Sequence, residues 1–247
     1  MKIDKNHKFS EFFTKNDENQ RKIEFLVLHH IEENSVEGAI LELKEHKVSS
    51  HFLISEDGVI YELVAENDIA YHAGYSFWRD VDGLNATSIG IEFINPQAFS
   101  CKFKKLQMQA GVKLCHYLIA KYNIKPENIV GHSDIAYDPQ NHGFLDRKQD
   151  PSQFFDWRFL AKNKIGIFPT KRVFFDRILF KIGDKNAKIA EIKQKLANFG
   201  YKVTNFNDEF DEEMQALTRV FNRRFVQKCD KKSQFWRRYS QKALDSI

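Results

Sequence analysis

Nine histidines are spread along the 247-residue chain, and two of them stand where short apolar runs end. His29 closes the run Phe25-Leu26-Val27-Leu28, and His132 follows Ile129-Val130-Gly131. Before Trp157 comes the polar segment Asp146-Arg147-Lys148-Gln149-Asp150-Pro151. A catalytic zinc ion is ordinarily held by three protein groups, drawn from histidine and carboxylate, with water in the remaining position. Two strand-end histidines and a loop aspartate fit that chemistry. Spacing alone does not single them out, because the chain has no His-Glu-x-x-His signature. His30 adjoins His29, and the alternation of a strand sends their side chains to opposite faces. His116 falls within a helical stretch and reads as structural.

The elements that must position these groups follow from periodicity. Phe25 to His30 and Ser50 to Ile54 are β-type runs, and Asp57-Gly58 marks a turn into Val59-Ile60-Tyr61, so a hairpin is expected there. Ser88 to Ile94 reads as a buried strand, and Ile129 to Gly131 as a last short one. Leu106 to Tyr122 repeats apolar residues at helical spacing, with Pro126 beyond its end. Strands interleaved with helices predict an α/β fold, a mixed central sheet flanked by helices. A linker with Pro169 leads to a small module of three helices. Ile189, Ile192 and Leu196 mark the first, with Gly200 after it. Met214, Leu217, Phe221 and Phe225 mark the second, with Asp211 as N-cap, and a basic third runs from about Lys232 to Leu244. The expected organisation is an N-terminal extension over residues 1–21, a catalytic domain over 22–168, a linker over 169–181 and the helical module over 182–247.

Composition excludes several classes. Hydrophobic residues at 42% and charged residues at 29% suit a soluble globular chain, and 23 phenylalanines promise an aromatic core. A net charge of +4 is mildly basic, which suits an anionic polymer but is too weak to argue for nucleic acid. Cys101, Cys115 and Cys229 are scattered, so neither a disulfide framework nor a thiolate metal site is expected. No apolar run is long enough to span a membrane. Met1 to Glu11 is polar and lacks the apolar stretch of a secretory signal.

Six stretches, in order, carry a resemblance. They are Val27-Leu28-His29, Val48 to Ile54, Tyr71-His72-Ala73-Gly74, Asn85 to Glu92, Ile124 to Ala136, and Arg147 to Pro151. Together they resemble the type-2 N-acetylmuramoyl-L-alanine amidases of the AmpD/AmiD branch. The resemblance implies one zinc ion in the catalytic domain, with His29, His132 and Asp150 as ligands. It implies Glu92 as catalytic carboxylate and Lys148 as the cation near the scissile carbonyl. The physics of these roles is coherent: a carboxylate can carry the water proton to the leaving amine, and a lysine can offset a developing oxyanion. His72 and Asn85 are expected to line the substrate cleft, with His51 at or beside it. Trp78 is expected to stack on a sugar face and Arg79 to pair with a stem-peptide carboxylate. The chain departs from the pattern in two places. Tyr137 to Leu145 is an insertion that, with Asp146 just after it, brings Asp138, His142 and Asp146 as rival ligands, and Ser152 replaces the glycine usual after Asp-Pro.

The helical module resembles the three-helix peptidoglycan-binding domain through Ile192 to Tyr201 and Asp211 to Phe225, with Phe221-Asn222 where that domain has Phe-Gln. The alternative is a structural cap. The implied activity is hydrolysis of the amide between muramic, or 1,6-anhydromuramic, acid and L-alanine, acting on peptidoglycan or anhydro-muropeptides. The competing reading is a peptidoglycan-recognition protein that binds without cutting. The wall-binding module points to the bacterial periplasm or envelope, with the cytoplasm as alternative.

Overall fold

A computed structural model describes residues 3–5, 11–16, 21–170, 175–227 and 233–247. The chain groups into two compact units, one of Met1–Gly74, Gly83–His132 and Asp150–Ile167, the other of Tyr75–Asp82, Ser133–Gln149 and Phe168–Ile247. Among the described residues, no helix is long and apolar enough to cross a membrane.

The first unit is built on six strands: β1 (Ile3–Asp4), β2 (Phe25–Ile31), β3 (Phe52–Ile54), β4 (Ile60–Glu62), β5 (Ser88–Ile94) and β6 (Ile129–Gly131). Their spatial order is β1-β4-β3-β5-β2-β6. β3 and β4 form the expected antiparallel hairpin, with Gly58 at φ 87° in its turn, and all other neighbours are parallel. β2 and β5 are buried nearly throughout, which is why both read as continuous apolar runs. They pair over seven residues with His29 opposite Glu92 and His30 opposite Phe93. β1 joins the sheet from the segment read as an extension; a strand of two residues leaves no periodicity to detect.

Helix α1 (Val36–Glu45) is capped by the Ser35 hydroxyl, which accepts the Gly38 N–H at 3.0 Å. It packs Val36, Ala39 and Leu43 on a cluster with Ile31, Leu53 and Ile94. Helix α2 (Lys105–Tyr122) ends at Asn123, which adopts φ 54°. It lies against Phe93: a Cβ on Gly111 would come within 2.8 Å of that ring. Because Phe93 alternates with Glu92, α2 covers the face opposite the one that carries His29 and Glu92. Buried Gln107 ties α2 to the sheet by donating to the Ile54 and Ile94 carbonyls at 2.9 and 2.7 Å.

His51 closes the sheet on its other side. Its Nδ1 accepts the Gly90 N–H at 3.0 Å, so the ring proton sits on Nε2 and points to the Asp68 carbonyl at 3.1 Å. Burial, reinforced by the Arg21 cation, lowers its pKa to about 3. Arg21 itself reaches the carbonyls of Glu66, Asp68, Asn85, Ala86 and Ser88, fastening the loop before β5.

The second unit contains α4 (Ala187–Phe199), α5 (Glu212–Phe221) and α6 (Arg238–Leu244), while α3 (Trp157–Lys162) belongs to the first. Ile189, Ile192, Leu196, Met214, Leu217 and Phe221 are all buried, as the spacing predicts. Asp211 caps α5 by accepting the Met214 N–H at 2.9 Å. The third helix begins later than expected, because Trp236–Arg237 pairs antiparallel with Ile178–Phe180. Lys228, Cys229, Lys231 and Lys232 lie outside the described residues. Asn222, which stands in the Phe-Gln position, is buried: it donates to Ser233 O and Phe235 O and accepts from Ser240 Oγ at 2.7 Å. Two mid-chain segments also belong here. Trp78 packs edge-on to Phe199 and Tyr201, and Asp146 receives Arg219 and Arg223 at 2.5 and 2.8 Å.

Two outcomes follow. Gln107→Ala leaves two buried carbonyls without their side-chain donor and is expected to lower stability by about 1–3 kcal/mol in urea unfolding. The second concerns pH. His51 and His30 are neutral when folded, burial lowering them to about 3 and about 4, and both return towards 6.5 when unfolded. The unfolded chain therefore binds more protons below about 6.5, so stability is full above that pH and falls as pH drops through it towards the folded values. In chelator-treated protein, His51→Gln is expected to reduce that acid-side slope by about one proton.

Candidate metal centre and active site

His29 is the fifth residue of β2, and His132 directly follows β6, the neighbouring parallel strand. Both lie towards carboxyl ends of strands, where open α/β sheets place ligands. Asp150 arrives from the loop before α3. Its Oδ2 is 3.1 Å from His29 Nδ1 and 3.1 Å from His132 Nδ1. The three donor atoms all lie within 4.8 Å of one another. Donors at about 2.0–2.1 Å from a tetrahedral ion stand roughly 3.3 Å apart, so the two spacings to Asp150 suit a shared metal. The set of two imidazoles and a carboxylate is also a chemically apt one. Of the residues that could hold a metal, this is the group found among the described residues.

The other ring nitrogens are engaged as well. His132 Nε2 lies 3.1 Å from the Ala73 carbonyl, and His29 Nε2 lies 3.1 Å from His72 Nδ1. Glu92, beside His29 in register, brings Oε1 to 3.9 Å from His29 Nδ1 and is itself buried. A carboxylate therefore stands next to the donor cluster without joining it.

The Asp150 loop is anchored just beyond the ligand. The Ser152 N–H donates to His30 Nδ1 at 3.2 Å, and the Ser152 hydroxyl donates to Ala98 O while accepting the Phe154 N–H at 3.2 Å. His30, sent by strand alternation to the other face, thus steadies the loop from behind and packs on Phe99. Serine in the family's glycine position is accommodated because its hydroxyl is bonded inside the protein. Burial opposes ionisation of Asp150, but His132 and then His29 hold its carboxyl well below the usual carboxylate range.

The two rival carboxylates are bonded elsewhere. Asp146 is held by two arginines, and Asp138 caps the Gln140 N–H at 2.9 Å. The residues expected at or beside the substrate take these places. His51 is wholly buried with both ring nitrogens engaged inside the fold. His72 is buried behind His29, its Nε2 3.1 Å from Ser88 Oγ, and burial holds it well below 6.5. Asn85 spends its side-chain oxygen on the His72 and Ala73 N–H groups at 3.1 and 2.8 Å. Trp78 is 1% exposed, so its ring faces are not open to a sugar. Arg79 is exposed, with its backbone N–H on Gly200 O, and Lys148 is exposed in the second unit. Sequence reading missed Arg21 and Ser88. Neither carries a chemical signature, since one works through backbone carbonyls and the other through a second histidine.

Known proteins resemble this chain in sequence and in fold. The N-acetylmuramoyl-L-alanine amidase family model matches residues 19–153. The Escherichia coli N-acetylmuramoyl-L-alanine amidase AmiD is 32% identical over 246 residues, covering 83% of this chain and 84% of that protein. The 1,6-anhydro-N-acetylmuramyl-L-alanine amidase AmpD of Salmonella typhimurium is 36% identical over 121 residues, 49% of this chain and 59% of its own length. The solved complex of E. coli AmiD with anhydro-N-acetylmuramic acid-L-Ala-D-gamma-Glu-L-Lys superposes with a TM-score of 0.72 at 29% identity, covering 94% of this chain and 91% of that one. AmpDh3 of Pseudomonas aeruginosa shares the fold at a TM-score of 0.71 and 24% identity, covering 94% of each chain. With half of its length matched by the family model, and a relative this similar along most of the remainder, the chain belongs to the N-acetylmuramoyl-L-alanine amidase family.

Proposed function

We propose that this chain is a zinc amidase that hydrolyses the bond between the lactyl group of muramic, or 1,6-anhydromuramic, acid and the L-alanine of the stem peptide. The observation that carries the reading is the convergence of His29, His132 and Asp150, with Glu92 aligned beside them. Those three residues would hold one zinc ion. When bound, zinc supplies Lewis acidity, polarising a carbonyl and lowering the pKa of water.

The chain's own groups do the rest. The Glu92 carboxylate takes the proton of the attacking water and delivers it to the alanine nitrogen as the C–N bond breaks and the C–O bond forms. Lys148, two residues before Asp150, offers positive charge to the oxyanion that develops on the carbonyl; this role rests on the family resemblance. Arg79 is retained as the candidate partner of a stem-peptide carboxylate. The helical module, which resembles a peptidoglycan-binding domain, supports action at the cell envelope. Action on released muropeptides in the cytoplasm is the alternative, and fractionation separates them.

The test is cleavage of purified anhydro-N-acetylmuramyl peptide followed by mass spectrometry. Free stem peptide is expected, lost with a chelator and restored by zinc. Glu92→Gln is expected to lower kcat by about 10²–10⁴-fold with zinc content unchanged, and Lys148→Ala by about 10²–10³-fold. Zinc-loaded protein that binds the muropeptide without cutting it would make the chain a recognition protein.

A further inference from the structure

Two histidines offer the same ring nitrogen, Nδ1, to the metal position, yet their opposite nitrogens meet different partners. His132 Nε2 faces the Ala73 carbonyl, which can only accept. That contact places the ring proton on Nε2 and leaves a lone pair on Nδ1. His29 Nε2 faces a histidine nitrogen, which can either accept or donate. Nothing in that contact alone decides where the His29 proton sits.

We propose that Ser88, His72 and Asn85 are positioning residues that settle the matter: a clip built on the His72–Ala73 dipeptide sets the tautomers of both metal-facing histidines. The inference rests on His29 and His132 being metal ligands. The direction of the relay comes from its far end. The Ser88 hydroxyl has one proton and lies 2.7 Å from the Leu84 carbonyl, to which it must donate. It therefore accepts from His72 Nε2, 3.1 Å away. Neutral His72 then has a bare Nδ1, which accepts from His29 Nε2–H. His29 Nδ1 is left with a lone pair facing the donor cluster. One backbone carbonyl, two side chains removed, thus fixes the chemistry of a ligand.

Three further features show that the relay is held in place. Asn85 Oδ1 accepts the backbone N–H of both His72 and Ala73, so one side chain seats the ring that orients His29 and the carbonyl that orients His132. Arg21 binds the carbonyls of Asn85, Ala86 and Ser88, bracing the turn on which Asn85 stands. Gly90 leaves room for the His72 ring: a Cβ there would lie 2.6 Å from His72 Cγ.

Ser88→Ala removes the acceptor that holds the His72 proton on Nε2. His72 is then free to carry it on Nδ1, which forces the His29 proton onto the metal-facing nitrogen. Zinc affinity, measured by competition with a chromophoric chelator, is expected to fall by about 10–100-fold. Ser88→Thr keeps a hydroxyl and is expected to restore binding. Unchanged affinity in Ser88→Ala overturns the proposal, and so does an equal loss in both variants, which would mark a packing role. Nitrogen-15 NMR of the zinc-loaded native chain gives a test that needs no variant. The His72 proton is expected on Nε2; finding it on Nδ1 overturns the relay even if Ser88→Ala does not fold. These readouts are metal affinity and proton position. A chain that passes them yet cleaves no muropeptide would retire the amidase reading alone.

Discussion

Everything at the site depends on the parallel register of β2 against β5. Seven paired residues bring His29 level with Glu92 on one face and His30 level with Phe93 on the other. A slip of a single residue would turn Glu92 away from its neighbour, because side chains alternate between faces. The register is defended by burial on both sides, with α1 over one cluster and α2 against Phe93. The same pairing explains why two adjacent histidines have unrelated tasks. His29 faces the donor cluster, whereas His30 accepts the Ser152 N–H and steadies the loop that carries Asp150.

The second constraint is electrostatic. Two imidazoles, His29 and His132, meet one carboxylate, Asp150, and a third, His72, backs His29 in a region largely closed to water. Burial keeps His72 neutral, while the neighbouring histidines hold Asp150 ionised despite its desolvation. A site with two imidazole nitrogen donors and one carboxylate oxygen donor suits a divalent cation. Three polar side chains nearby are held by backbone: half-buried Asn85 by the His72 and Ala73 amides, Ser88 by the Leu84 carbonyl, His51 by Gly90 and Asp68. Such a network permits few alternative arrangements.

The second unit is assembled by a different logic. An aromatic core of Trp78, Phe199, Tyr201 and Phe221 is supplemented by part-buried charge pairs, Lys193 with Asp211 and Asp146 with two arginines. Segments far apart in the chain meet there. Asn222, fixed by Ser240 and two carbonyls, serves this packing.

The sequence by itself determined the class of fold, the main strands, the three C-terminal helices and the family. These rest on period and on ordered motifs, both local along the chain. It also separated His29 from His30, because strand alternation is a local rule. It left α1 undetected, since ten residues with three buried positions give little periodic signal. Spacing alone did not separate Asp138, Asp146 and Asp150, and the choice of Asp150 came from the family resemblance; nor did spacing say how deeply His51, His72, Asn85 and Trp78 lie. Only the tertiary structure decided those questions. Which carboxylate meets the histidines depends on where a loop returns, and Asp146 is taken by arginines more than 70 residues away. Whether a conspicuous side chain touches substrate or holds a neighbour in place depends on burial and on hydrogen-bond partners, and both are properties of three-dimensional contact that no spacing records.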